Sequence, residues 1–207
     1  MTTWVTPATL TGSRVRMEPL SLERHWEGLL AIGLDPDLWR YTITTVRDAA
    51  DLRRYLDTAT RELAEGQSLP FATIDVASGR VAGCTRYGSL DPLNRRVEIG
   101  WTWVGREFRR SHVNTEAKYL MLNHAFETID CVRVEFKAHA SNERSRRAME
   151  RIGAQFEGTL RRHMLRDTGE WRDTVYYSIL DHEWPAVKAR LEALMRREPA
   201  PGAAASG

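Results

Sequence analysis

Along residues 10–19 apolar and polar positions alternate, with Val15 and Met17 on one side and Arg14 and Arg16 on the other, which predicts an opening strand. Ser21 is placed to cap a helix over residues 22–32, with Glu23 in its first turn and Gly33 at its end. Asp35 and Pro36 then open a loop that contains Trp39 and Tyr41. Over residues 49–65, Leu52, Tyr55, Leu56, Ala59 and Leu63 repeat at helical spacing, and Gly66 stops the run. Strand patterns at 69–76 and 81–87 flank a hairpin signal, Ala77-Ser78-Gly79-Arg80, and a turn at Asp91-Pro92-Leu93-Asn94 precedes a strand over 96–104. A loop, a helix over 115–128 and a strand over 131–138 follow. Ser141 or Asn142 caps the next helix, which Gly153 ends. The last hairpin, 158–166 and 171–180, turns at Asp167-Thr168-Gly169, and residues 183–197 are amphipathic enough for a helix. This order predicts one mixed α/β (α+β) domain over residues 1–198, and the Ala/Pro/Gly-rich residues 199–207 are predicted to be a disordered tail.

Composition narrows the function classes. With 42% hydrophobic residues the 207-residue chain has enough apolar material for a sizeable core. A net charge of +2, from 30 basic and 28 acidic residues, argues against nucleic acid as a partner. No apolar run approaches the roughly 20 residues of a membrane span, and the start, Met1 to Pro7, lacks the basic and apolar segments of a signal peptide. No membrane partner and a cytoplasmic location are expected. Cys84 and Cys131 lie in apolar, strand-like contexts and read as buried reduced thiols. His112, His124, His139 and His163 show no metal-ligand spacing, so no metal is expected.

Candidate chemistry concentrates before the central helix. The strand ending Trp101-Thr102-Trp103-Val104 gives way to a loop carrying Arg106, Arg109 and Arg110. A helix that begins after such a loop presents unpaired backbone N–H groups and a positive dipole end, a ready site for an anion. Arginine adds bidentate phosphate contacts. The same residues also read as a basic, solvated loop.

The order strand, basic loop, helix, strand, Asn-capped helix resembles the core of the GNAT superfamily. Its pyrophosphate loop, [Q/R]-x-x-G-x-[G/A], corresponds here to Arg109-Arg110-Ser111-His112-Val113-Asn114. Further motifs resemble the RimJ/RimL-like branch: Val97-Glu98-Ile99-Gly100-Trp101, Asn114-Thr115-Glu116-Ala117-Lys118, Asn142-Glu143-Arg144-Ser145, Met149 to Ala154, and the terminal hairpin with Tyr176 and Tyr177. The resemblance runs from about residue 10 to 184. It implies a mixed, mostly antiparallel sheet of about seven strands flanked by helices and splayed between the fourth and fifth strands. It also implies an N-acetyltransferase that moves an acetyl group from acetyl-CoA, or another acyl-CoA, directly to a primary amine in a ternary complex. The acceptor would be a protein N-terminus or a small-molecule amine, and dimers are common among such proteins, so a homodimer is an expected assembly. The chain departs from the pattern where glycine is expected, at His112, and where glycine or alanine is expected, at Asn114. Asparagine tolerates left-handed geometry, whereas His112 would narrow the approach to the pyrophosphate or touch a phosphate itself.

The resemblance assigns roles residue by residue. The backbone of Thr102, Trp103 and Val104 would hold pantetheine and face an oxyanion. Arg109, Arg110, Ser111, His112, Val113, Asn114 and Thr115 would hold the pyrophosphate, with Asn142 on the pantetheine or the acceptor. Ser145, or Tyr176 in its place (Tyr177 being the alternative), would protonate the departing thiolate. Some of Lys118, Arg144, Arg146 and Arg147 would meet phosphates, Arg147 foremost. Glu98, flanked by Val97 and Ile99, is a candidate general base whose pKa burial would raise. Trp39, Tyr41, Tyr87 and Trp103 are candidates for an acceptor pocket. Each also has a plain structural reading: Asn142 as a helix cap, Ser145 as a first-turn residue, Glu98 as a paired surface carboxylate, the aromatics as core. A catalytically degenerate fold-mate that binds acyl-CoA as a sensing or interaction module is the alternative from a different class. A ribosome- or RNA-associated protein is a third, disfavoured by the low net charge.

Overall fold

A computed structural model describes residues 4–197. The predicted tail, residues 199–207, lies outside the described residues. Among those described, eight strands and six α-helices follow one another. β1 (Leu10–Thr11), β2 (Val15–Pro19), α1 (Leu22–Gly33), α2 (Pro36–Trp39), α3 (Ala49–Ala64), β3 (Leu69–Asp75), β4 (Val81–Asp91) and β5 (Arg96–Val104) form the first part. After a single 3-10 turn, Arg106–Phe108, come α4 (His112–Glu127), β6 (Arg133–His139), α5 (Glu143–Ile152), β7 (Gln155–Leu165), β8 (Trp171–Leu180) and α6 (Trp184–Arg197).

The strands make one open sheet in the order β1-β2-β3-β4-β5-β6-β8-β7. Every neighbouring pair is antiparallel except β5 and β6. Two apolar layers cover its faces. On one, Met121, Leu122 and Ala125 of α4, Met149 and Ile152 of α5 and Val187 and Leu191 of α6 pack with Val97, Ile99, Val134, Phe136 and Tyr177 of the sheet. On the other, Leu29 of α1 and Leu52, Leu56 and Ala59 of α3 pack with Ala72, Cys84 and Trp103. The thiols of Cys84 and Cys131 are buried and unbridged. Burial pushes them up to about 11 and about 12, which suits packing rather than thiolate chemistry.

Several predicted elements shift. The single strand over 10–19 is a small hairpin, because Gly12 N–H donates to Val15 O at 2.8 Å and closes a tight turn. The Glu116 carboxylate holds that turn, accepting from Ser13 Oγ at 3.1 Å and from Arg14 N–H at 3.0 Å. Alternation continues through the turn, so periodicity alone does not reveal it. The predicted cap Ser21 makes no side-chain cap bond; its N–H donates to His25 Nδ1 instead. The loop at Asp35 contains α2, whose cap Asp35 accepts from Asp37 N–H with Pro36 in the first turn. The central helix begins at His112, three residues early, because Ser111 serves as its cap.

Candidate active site

Strands β5 and β6 pair through only three rungs, Arg96↔Arg133, Val97↔Val134 and Glu98↔Glu135. β5 continues to Val104 and β6 to His139, so beyond Glu98 the two diverge and the facing backbone edge of β5 loses its strand neighbour. The expected splay is therefore present. A bulge shapes its wall: Cys84 opposes Trp103 while Arg86 opposes Gly100, so Thr85 alone faces both Trp101 and Thr102. Trp101 sits at φ 50°, and its ring lies against Gly88, where a Cβ would collide with it. The Arg86 guanidinium covers the ring at 4.8 Å. Below the bulge, Thr85 Oγ1 and Thr102 Oγ1 are 2.7 Å apart, and Lys118 Nζ of α4 donates to Thr102 Oγ1 at 2.8 Å.

Lys118 is 7% exposed, and burial pushes its pKa down to about 7. A lysine depressed on folding releases its proton more readily folded than unfolded, so its contribution to stability improves as pH rises from about 7 toward 10.5. Lys118→Met is accordingly expected to stabilise the protein most at acid pH, with the gain shrinking as pH rises. Thermal unfolding of both forms from pH 6 to 10 measures that difference.

The loop before α4 holds itself tightly. Arg109 Nε donates to Val104 O at 3.3 Å and its Nη2 to Asp35 Oδ2 at 2.9 Å, tying the loop to the cap of α2. Arg110 is exposed and sits at φ 60°, a left-handed conformation that costs a non-glycine residue about 1 kcal/mol or more. Ser111 Oγ donates to Phe108 O at 2.6 Å and accepts from Val113 N–H at 3.3 Å. His112 does not point toward the loop's outer face. Its side chain is fully buried, with Nε2 3.1 Å from Asp75 Oδ1 on β3. The first turn, His112 to Thr115, thus offers backbone N–H groups with the ring beneath them. Val113 and Thr115 are buried and Asn114 is partly exposed. Thr115 Oγ1 accepts from Arg151 Nη2 of α5 at 2.8 Å, a basic residue beside this turn that sequence reading passed over. Arg147, expected at a phosphate, lies on the exposed side of α5 paired with Glu143.

At the N-terminus of α5, Asn142 Oδ1 accepts from Ser145 N–H at 3.1 Å, so Asn142 rather than Ser141 is the cap. Asn142→Ala should cost about 1 kcal/mol and lower the unfolding midpoint by roughly 2–4 °C, which calorimetry can read. Asn142 borders a cavity of about 350 Å³ whose walls also include Asp37, Arg40 and Tyr41 on one side and Ser141 and Arg144 on the other. Ser145 is partly exposed in the same first turn. Of the predicted pocket aromatics only Tyr41 reaches this cavity. Trp39 is 2% exposed, donates Nε1 to Gly33 O at 2.7 Å and packs against Tyr55 and Trp103. Tyr87 is fully buried with its hydroxyl donating to Met121 O at 2.5 Å. Both are core because their polar tips find backbone carbonyls inside.

On the sheet face away from α4, Glu98 is not an isolated carboxyl. It accepts from Lys137 Nζ at 2.8 Å and from Ser89 Oγ at 2.9 Å. Lys137 loses some basicity to burial, but the Glu98 carboxylate outweighs that and leaves its pKa raised. Its ammonium also covers the Tyr176 ring at 5.0 Å, and the Tyr176 hydroxyl lies 3.5 Å from His163 Nε2. Tyr177 points to the opposite face, donating to Glu150 Oε1 at 2.7 Å. Arg172 and Thr174 share the Tyr176 face of β8, and among the described residues Arg172 Nε and Thr174 Oγ1 are buried without a hydrogen-bond partner.

Residues 14–155 match the family model described as Acetyltransferase (GNAT) domain. The chain belongs to the GNAT acetyltransferase family. It is similar to the Bacillus subtilis (strain 168) protein named "Putative ribosomal N-acetyltransferase YdaF", 38% identical over 110 residues, which are 53% of this chain and 59% of that protein. Among solved structures, a GCN5-related N-acetyltransferase from Brucella melitensis superposes with a TM-score of 0.86 at 35% identity, covering 92% of this chain and 86% of its own. RimJ of Mycobacterium smegmatis, solved in complex with CoA-disulfide, shares the fold with a TM-score of 0.78 at 23% identity over 94% and 98% of the two chains. These likenesses support the RimJ/RimL-like branch of the GNAT family.

Proposed function

We propose that this GNAT domain, taken as residues 1–198, transfers an acetyl group in the cytoplasm from acetyl-CoA, or another acyl-CoA, to a primary amine by direct transfer in a ternary complex. The carrying observation is the gap that opens between β5 and β6 after Glu98, flanked by Thr102 on one wall and Phe136 on the other. The residues present fit such a donor. Beyond Glu98 the β5 edge has no strand paired to it on the β6 side, the first turn of α4 supplies N–H groups, and His112 is folded under that turn. Thr102, Trp103 and Val104 would hold the pantetheine, and Arg110, Ser111, Val113, Asn114 and Arg151 would meet the pyrophosphate. The donor supplies an activated acyl thioester. Asn142 would orient it, Ser145 or Tyr176 would return a proton to sulfur, and Glu98 would take one from the acceptor through water.

The acceptor reading leans toward a protein N-terminal amine or another weakly basic amine. An α-amino group near pKa 8 is roughly 10% neutral at pH 7, whereas freeing a lysine-like amine costs about 4.6 kcal/mol. The name of YdaF, a putative ribosomal N-acetyltransferase, supports a protein as the acceptor. A homodimer belongs to the reading as well: the edge strand β7 exposes Phe156, Leu160 and Leu165, with Trp171 at the start of β8 exposed beside Leu165, and light scattering should give twice the chain mass. A CoA-thiol release assay across N-terminal peptides, polyamines and aminoglycoside-like amines tests the activity. Amine-dependent thiol release is expected. Saturable acetyl-CoA binding without release from any acceptor would replace this reading with a binding module, and no binding at all would sink it.

A further inference from the structure

Lys118 is buried, and among the described residues no carboxylate pairs with its ammonium. Its Nζ donates to Thr102 Oγ1 on β5 at 2.8 Å and lies 6.0 Å from the centre of the Phe136 ring on β6. Those residues stand on opposite walls of the gap, both beyond the last shared rung at Glu98 and Glu135. The amine therefore spans the floor of the cleft, beneath the bulge at Trp101 and Thr102. An amine placed so deep is costly to keep unless it meets something polar, and one hydroxyl satisfies only one of its N–H bonds. Burial also brings its pKa down to about 7, so it serves as a hydrogen-bond donor there without fixing a full charge in the cleft at neutral pH.

We propose that Lys118 is a donor-binding residue whose Nζ hydrogen-bonds a carbonyl of the acyl donor, an amide of the pantetheine arm or the thioester itself, at the floor of the β5–β6 cleft. The assignment rests on the acyl-CoA reading above and goes further by naming a side chain that would read the arm rather than the phosphates. Lys118 acts from the middle of α4, whereas the anion site uses its first turn.

Calorimetric titration of wild type and Lys118→Met with three ligands tests it: adenosine 3′,5′-bisphosphate, CoA and acetyl-CoA. The variant should bind the bisphosphate as wild type does and the arm-bearing ligands about tenfold more weakly. Weakening with both CoA and acetyl-CoA assigns the contact to a pantetheine amide, and weakening with acetyl-CoA alone assigns it to the thioester. Lys118→Gln, which keeps an N–H donor, should recover part of the loss. Equal affinities in wild type and Lys118→Met would overturn the proposal. So would a uniform loss for all three ligands with a lowered unfolding midpoint, since that marks a structural role. If wild type binds neither CoA nor acetyl-CoA, the acyl-CoA reading itself fails and the assignment falls with it.

Discussion

Replacing His112 with glycine, the residue expected at that place in the loop, should lower the thermal unfolding midpoint by about 10 °C and should not tighten acetyl-CoA binding. The ring is fully buried, and Nε2 lies 3.1 Å from Asp75 Oδ1. Asp75 is itself 1% exposed, and its other oxygen already accepts from Ser78 N–H at 3.0 Å and Ser78 Oγ at 2.5 Å. Glycine would leave Oδ1 inside the protein with no donor, at a cost of about 1–3 kcal/mol. It would also open a cavity under the helix and add backbone entropy of up to about 1 kcal/mol. A total near 3 kcal/mol corresponds to about 10 °C in a chain of this size. Differential scanning calorimetry reads the midpoint and titration reads the affinity. His112→Gln, which keeps a donor, should lose less than the glycine variant. A glycine variant with an unchanged midpoint and much tighter acetyl-CoA binding would show that the ring obstructs the donor.

The same residue shows why the site was only partly legible in the sequence. The loop was visible as three arginines before a helix, and the element order around it carried the fold. What the side chain of His112 does was not visible, because its partner Asp75 lies 37 residues earlier on β3. Sequence spacing describes neighbours along one element, while this contact depends on which face of α4 the sheet covers. Lys118 with Thr102 and Glu98 with Lys137 are hidden for the same reason, being 16 and 39 residues apart. Trp39 and Tyr87 misled in the opposite direction. An aromatic near a loop looks like a pocket wall until its polar tip is seen to reach a buried carbonyl, as both do. Asn142 was legible because a cap is a local matter: its acceptor and donor are three residues apart.

Glu98→Gln is expected to reduce kcat/KM toward the amine by about 100-fold while leaving the dissociation constant of acetyl-CoA within about twofold of wild type. Glu98 stands at the last rung before the cleft opens, 6% exposed, with Lys137 and Ser89 fixing its carboxylate. Lys137 separates a chemical role from a structural one. Lys137→Met would leave the carboxylate buried without its cation, which should cost about 3 kcal/mol of stability. The double variant Glu98→Gln, Lys137→Met removes both charges and should regain most of that stability without regaining the rate. The pair's own pH dependence has a definite sign. Lys137 is raised above its ordinary value of 10.5, so its contribution to stability is fully present below that pH and is lost as pH rises through the raised value. Across neutral pH Lys137 therefore keeps its charge, and a rate difference measured there reports on Glu98 rather than on the titration of Lys137. If Glu98→Gln lowered the midpoint but kept the wild-type rate, the carboxylate would be a brace for Lys137, and the proton would have to leave the acceptor by another route.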